Sequence, residues 1–158
     1  MMNKSLLICM LLTLCASSFF TPAHAQNKEA MQPIAQLFDA MREHNGEKLL
    51  AQFTINATLE RVTKDNKIKQ SDLKDFSRIV SSATKYLDEQ LLDVKIHVSH
   101  NLASAWTPFA FYVNGKLSHC GINSFQLVKQ ATQWKIQYLI DNVYTGDCKT
   151  FIKTHAAQ

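Results

Sequence analysis

The stretch LASAWTPFAFYV-NG-KLSHCGINSFQLV, residues 102–128, decides the fold. Two long runs rich in apolar and aromatic residues flank the pair Asn114-Gly115. Asn-Gly in that setting is the strongest short-range sign of a two-residue β-hairpin, because both turn residues must take positive φ. A tight turn puts Val113 opposite Lys116. Counting outward, Tyr112 faces Leu117, Ala110 faces His119 and Trp106 faces Asn123. Directly opposed residues share a face of the sheet.

The pattern repeats downstream. A polar break at 130–133 separates residues 116–128 from a further run, 134–144. A four-residue loop there sets Leu127 opposite Ile136, Phe125 opposite Tyr138 and Asn123 opposite Ile140. Both hairpins then collect Trp106, Tyr112, His119, Asn123, Phe125 and Tyr138 on one face, a mostly aromatic surface with polar tips. That composition suits a ligand pocket, and equally a core under helices. The opposite face carries Phe109, Phe111, Ile122 and Leu139, which are costly to leave wet, so a homodimer through that outer face is expected. Pro108 is the expected weak point, since a bulge there would flip every residue beyond it. Upstream, Val94, Ile96 and Val98 alternate with polar residues as a further strand. The four strands predict an antiparallel meander.

The first part of the mature chain reads mainly as helical. Ile34, Leu37, Phe38 and Met41 form one apolar stripe, Pro33 suits a first turn, and Asn45-Gly46 ends the helix. Leu49, Leu50 and Phe53 predict a short second helix. Residues 55–62 predict a strand, 63–70 a charged loop, and Ser71 or Asp72 caps a third helix running to about Leu87. Helices followed by strands give an α+β class.

The ends and the totals set the context. Lys4, the apolar run 6–16 and Ala23-His24-Ala25 match a secretion signal, 1–25, leaving a single domain, 26–158. A periplasmic or secreted bacterial location is the expectation, with no membrane attachment after cleavage. The formal net charge is +4, or +3 once Lys4 is removed, and the lysines are scattered among acids. That argues against a nucleic-acid surface, which would cluster them with aromatics. Cleavage removes Cys9 and Cys15. The remaining pair, Cys120 and Cys148, predicts one disulfide in an exported protein.

His119 and Cys120 are neighbours on a strand and point to opposite faces, so they do not share a metal ion in regular geometry. No Cys-x-x-Cys or His-x-x-x-His pattern is present, and no metal or cofactor is implied. His119 on an aromatic face is either a general base or orienting donor, or a satisfied core histidine. Asp141 is the second catalytic candidate, although the register places it on the far face.

The motifs Trp106-Thr107-Pro108-Phe109, Phe111-Tyr112, Gly115-Lys116, Ser118-His119-Cys120-Gly121, Phe125-Gln126-Leu127, Trp134-Lys135-Ile136, Asp141 and Cys148 resemble the nuclear-transport-factor-2-like superfamily. The likeness is to its small bacterial branch labelled SnoaL-like or lumazine-binding. It implies N-terminal helices packed on a curved antiparallel sheet, a cone-like or cystatin-like barrel, commonly dimeric. It also implies either binding of small hydrophobic molecules or acid–base chemistry on them as isomerase, cyclase or dehydratase. Non-catalytic interaction modules occur among such proteins too. The chain departs from the pattern where Thr-Arg would follow Asp141, which leaves Asp141 without that arginine as partner. The reading that results is a ligand-binding cone using Trp106, Tyr112, His119, Asn123, Phe125 and Tyr138, with no catalytic residue assigned.

Overall fold

The computed structural model describes residues 23–156. Four helices and seven strands follow in the order α1 (Ala23–Arg42), α2 (Gly46–Leu50), β1 (Phe53–Val62), β2 (Ile68–Ser71), α3 (Leu73–Ser82), β3 (Leu87–Leu91), β4 (Lys95–Ser99), β5 (Leu102–Val113), β6 (Lys116–Gln130), β7 (Gln133–Val143) and α4 (Cys148–His155). The expected signal segment lies outside the described residues except at its end, where Ala23 begins α1.

The seven strands form one sheet in the order β2-β1-β7-β6-β5-β3, with β4 also paired to β5. The meander of β4 to β7 is antiparallel as expected. The whole sheet is not, because β1 runs parallel to β7. The class is α+β, with a mixed sheet. Two strands stand where the sequence suggested otherwise. Part of the charged loop is β2, which pairs back on β1. The third helix stops at Ser82, and Leu87–Leu91 becomes β3 along one end of β5. Local helical period is overridden there by pairing with β5.

Helix α1 buries the predicted stripe, with Ile34, Leu37, Phe38 and Met41 all in the core. Pro33 lies inside α1 and not in its first turn. The apolar stripe of α1 holds the helix together across it. Asn45 caps α2 through its side chain, accepting from Lys48 N at 2.8 Å. Asp72 caps α3 by accepting from Lys74 N and Asp75 N. Helices α1–α3 cover one face of the sheet. There Phe38 meets Phe125 edge-on at 6.4 Å, over Ala103, Ala105, Leu127 and Ile136.

The predicted turn is present, with φ of 50° at Asn114 and 73° at Gly115. Val113 pairs with Lys116 and Tyr112 with Leu117. A register shift then follows between Phe111 and Tyr112, so Phe111 faces His119, Ala110 faces Cys120 and Trp106 faces Ser124. The second hairpin behaves alike. Leu127 pairs with Ile136 as expected, but a shift next to it sets Phe125 opposite Leu139 and Asn123 opposite Asp141. Neither bulge is at Pro108, which pairs regularly with Ile122. On its other edge Pro108 sits between the pairings of β3 (to Phe109) and β4 (from Trp106), where its missing N–H breaks no ladder.

These two bulges redistribute the faces. The face under the helices holds Thr107, Phe109, Phe111, His119, Gly121, Asn123, Phe125, Leu139 and Asp141. Trp106, Tyr112, Tyr138 and Ile140 alternate with these and point the other way. The expected sharing of one face by Trp106, Tyr112, His119 and Asn123 is therefore corrected, and so are the outward positions of Phe109, Phe111, Leu139 and Asp141.

On the outer face, Cys120 is fully buried and bonded to Cys148, with Cα atoms 5.7 Å apart. The bond ties the first residue of α4 across β6. Phe151 packs beside Tyr144, ring centroids 4.9 Å apart, and completes that cover. Gly121 is needed because a Cβ there would lie 1.9 Å from the Asn142 carbonyl oxygen. The close neighbour is thus the backbone of β7.

Candidate functional site

Between α1, α3 and the inner face of the sheet lies a cavity of about 320 Å³. That is the lower end of the range for small-molecule pockets. Its apolar wall comes from Leu37, Phe38 and Met41 of α1, Phe76 of α3, Phe111 of β5 and Leu139 of β7. Each faces inward for the same reason, the 3.6 or 2.0 residue period of its element.

A polar row crosses the sheet beneath this wall: Glu89 on β3, Asn123 on β6, Asp141 on β7, Arg61 on β1 and Lys69 on β2. The registers create it, since Asn123 pairs with Asp141, Asp141 with Arg61, and Arg61 with Lys69. Asn123 Nδ2 donates to Glu89 Oε1 at 2.7 Å. Arg61 donates to both carboxylate oxygens of Asp141, from Nε at 2.7 Å and from Nη2. Arg61 thus supplies from β1 the cation that the family pattern would place just after Asp141. His119 lies beside the row, its Nδ1 3.2 Å from Ser118 Oγ and its ring 5.0 Å from Phe111.

Burial sets the electrostatics. It pushes the Glu89 carboxyl up to about 7, helped by the negative charge of Asp141 and opposed by the Asn123 hydrogen bond and by Arg61. Burial also lowers His119 below the ordinary imidazole range, Arg61 adds to that, and Asp141 opposes it. At neutral pH the imidazole is neutral, and the Glu89 carboxyl titrates near neutrality. Thr107, fully buried and paired with Asn123, has a hydroxyl with no partner among the described residues.

Of the residues expected to line a pocket, His119 and Asn123 line this one, and Phe125 is buried in the adjoining core. Trp106 is 52% exposed on the outer face. Tyr138, on the same outer face, donates to Glu60 Oε2 at 2.6 Å. Tyr112 is also turned away from the cavity. Asp141, placed on the far face by the sequence, lines the cavity. Three members of the polar row were not foreseen, among them Lys69, which lay in the stretch read as a charged loop. Glu89 lay just beyond the predicted third helix, in a stretch given no element, although Leu87, Glu89 and Leu91 share a strand face. Arg61 lay in the predicted first strand, but nothing in the sequence paired that strand with Asp141. Among the described residues no group of three His, Cys, Asp or Glu side chains is placed to hold a metal ion.

Solved structures with this fold are numerous. A protein of unknown function from Shewanella baltica, itself described as NTF2-like, superposes with a TM-score of 0.63 at 12% identity, over 80% of this chain and all of that one. The chain has the nuclear-transport-factor-2-like fold. A candidate dehydratase of that family from Streptomyces avermitilis superposes at 0.65 and 13% identity, over 78% of this chain and 99% of the other. A Nostoc punctiforme protein of unknown function with a cystatin-like fold gives 0.64 and 13%, over 79% and 95%. No protein-family model matches the sequence, and no curated protein matches it. At these identities the likeness concerns the fold, and activity must be argued from the site.

Proposed function

We propose that this nuclear-transport-factor-2-like chain is an exported binding protein that holds one small, largely apolar molecule in the inner cavity. The observation that carries this reading is the combination of an apolar and aromatic wall with a short polar row at its base. Apolar area supplies affinity, and a few placed polar groups fix orientation. The signal-like residues 1–25 support export to a bacterial periplasm or beyond. Trp106 and Leu102, each 52% exposed on the sheet side away from α1, support a homodimer through the part of the outer face that α4 leaves open. A native mass spectrum of protein purified from its own host tests ligand and oligomer together. Leu59→Trp, at a lining position of β1 and outside the polar row itself, is expected to fill the cavity and remove the bound mass. Retention of that mass by a folded Leu59→Trp protein would refute the location.

A second reading is acid–base catalysis on the same class of molecule. It is favoured by Glu89, whose carboxyl titrates near neutrality and stands in the cavity with His119, where a general acid or base is most effective. Asn123 and the imidazole would then steady developing charge. Turnover lost in Glu89→Gln with binding retained would support it. Unaltered turnover would exclude it.

A further inference from the structure

The base of the cavity presents several hydrogen-bond acceptors. Asn123 commits one of its two amide N–H groups to Glu89 Oε1, and Arg61 directs Nε and Nη2 at Asp141. The hydrogen bonds leave Glu89 Oε2, Asn123 Oδ1 and His119 Nε2 without partners among the described residues, and all three side chains line the cavity. With the His119 proton on Nδ1, directed at Ser118 Oγ, the ring presents Nε2 as an acceptor. An ionised Glu89 therefore completes a set of three acceptors. A primary ammonium has three donors and no acceptor. The rings of Phe38, Phe76 and Phe111 around that base are also a favourable surround for a cation.

We propose that the cavity selects a small apolar primary amine, its ammonium held by Glu89 Oε2, Asn123 Oδ1 and His119 Nε2 and its hydrocarbon body against α1 and α3. The proposal rests on the reading of the cavity as a ligand site and adds the class of head group. Three acceptors offset the desolvation of the ammonium, which one carboxylate alone would not. The charges that face Glu89 from its neighbours are compatible. From β7 and β1, Asp141 and Arg61 neutralise each other, and His119 on β6 is neutral. Arg42 of α1 is occupied by Asp39 and Asp88 and reaches only the Glu89 backbone carbonyl, at 3.5 Å. Lys69 stands at the far end of the row on β2 and is exposed. Neither α3 nor β5 contributes a charge to the lining, since Phe76 and Phe111 represent them there. Glu89 is thus the one carboxylate in the row without a cation of its own, and a ligand ammonium supplies it.

Three probes that share one skeleton test this: 2-phenylethylamine, 2-phenylethanol and phenylacetate, titrated calorimetrically into the full protein. The amine is expected to bind at pH 8 at least about tenfold tighter than the alcohol. Its affinity should fall about tenfold per unit as pH drops below the Glu89 transition. At pH 7 its binding should release protons, read as a heat that varies with the ionisation enthalpy of the buffer. Glu89→Gln should erase the preference for the amine while still taking the alcohol. Should that variant not fold, proton release by the native protein decides alone, and amine binding without it overturns the proposal. Equal or tighter binding of the alcohol or of phenylacetate overturns the head-group assignment and leaves the cavity reading standing. Binding of none of the three to folded protein overturns both.

Discussion

Asn123 on β6 reaches across β5 to donate a 2.7 Å hydrogen bond to Glu89 on β3, thirty-four residues away in the chain. This bond joins the two halves of the polar base, and it is the sole side-chain donor to the Glu89 carboxyl among the described residues. Its presence limits a shift that burial would otherwise carry further.

Stability should therefore fall with rising pH on account of Glu89. A carboxyl whose folded value is above its unfolded one holds its proton more tightly in the folded state. Its contribution is complete below the ordinary 4.5 and is lost as pH rises through about 7. The loss amounts to up to about 3 kcal/mol between pH 4 and pH 8. The depressed His119 acts in the opposite direction below its ordinary 6.5. Denaturant unfolding of the native protein and of Glu89→Gln across this range isolates the Glu89 part as a difference. A pH-independent difference would refute it.

Arg61→Ala should raise the pKa of His119, because Arg61 lowers it and the opposing Asp141 remains. The same substitution leaves a carboxylate whose side chain is only 14% exposed without its cation, at a cost of about 1–2 kcal/mol. Proton NMR titration of the imidazole reads the first effect and urea unfolding the second. Arg61→Lys should restore the charge but not the two-pronged bond.

Cys148→Ser should lower stability by about 3 kcal/mol in the chain-entropy view. It should also release α4, since an eight-residue helix does not persist undocked. Hydrogen exchange is expected to speed up over residues 148–155 and to leave β3 and the Glu89 titration unchanged, because α4 and the cavity lie on opposite faces of the sheet.

Gly121→Ala should be severely destabilising although it adds one methyl group. The new Cβ would meet a backbone oxygen and the Phe109 ring, neither free to move without opening β6 from β7. An overpacking loss of about 2–3 kcal/mol is expected, seen as a lowered melting temperature. A melting temperature equal to that of the native protein would contradict the close approach.

Much of the fold was legible because its signals are local. The Asn114-Gly115 turn, the alternation in β4 and the stripe of α1 each follow from residues a few positions apart. The site was less legible for a specific reason. Register counts from the two turns were right as far as Tyr112–Leu117 and Leu127–Ile136, then a bulge in each hairpin shifted the pairing by one. A one-residue slip moves every side chain beyond it to the other face. That alone carried Trp106 and Tyr138 out of the expected pocket and brought Asp141 into it.

By itself the sequence determined the α+β class, the helical stripe, the turns and the two cysteines that meet, because each is dictated by local periodicity, turn chemistry or counting. Tertiary structure alone decided that β1 lies parallel to β7, bringing Arg61 to Asp141, and that Leu87–Leu91 is a strand, bringing Glu89 to Asn123. Those contacts depend on pairing between segments far apart in the chain, and on two bulges that the turn residues do not dictate.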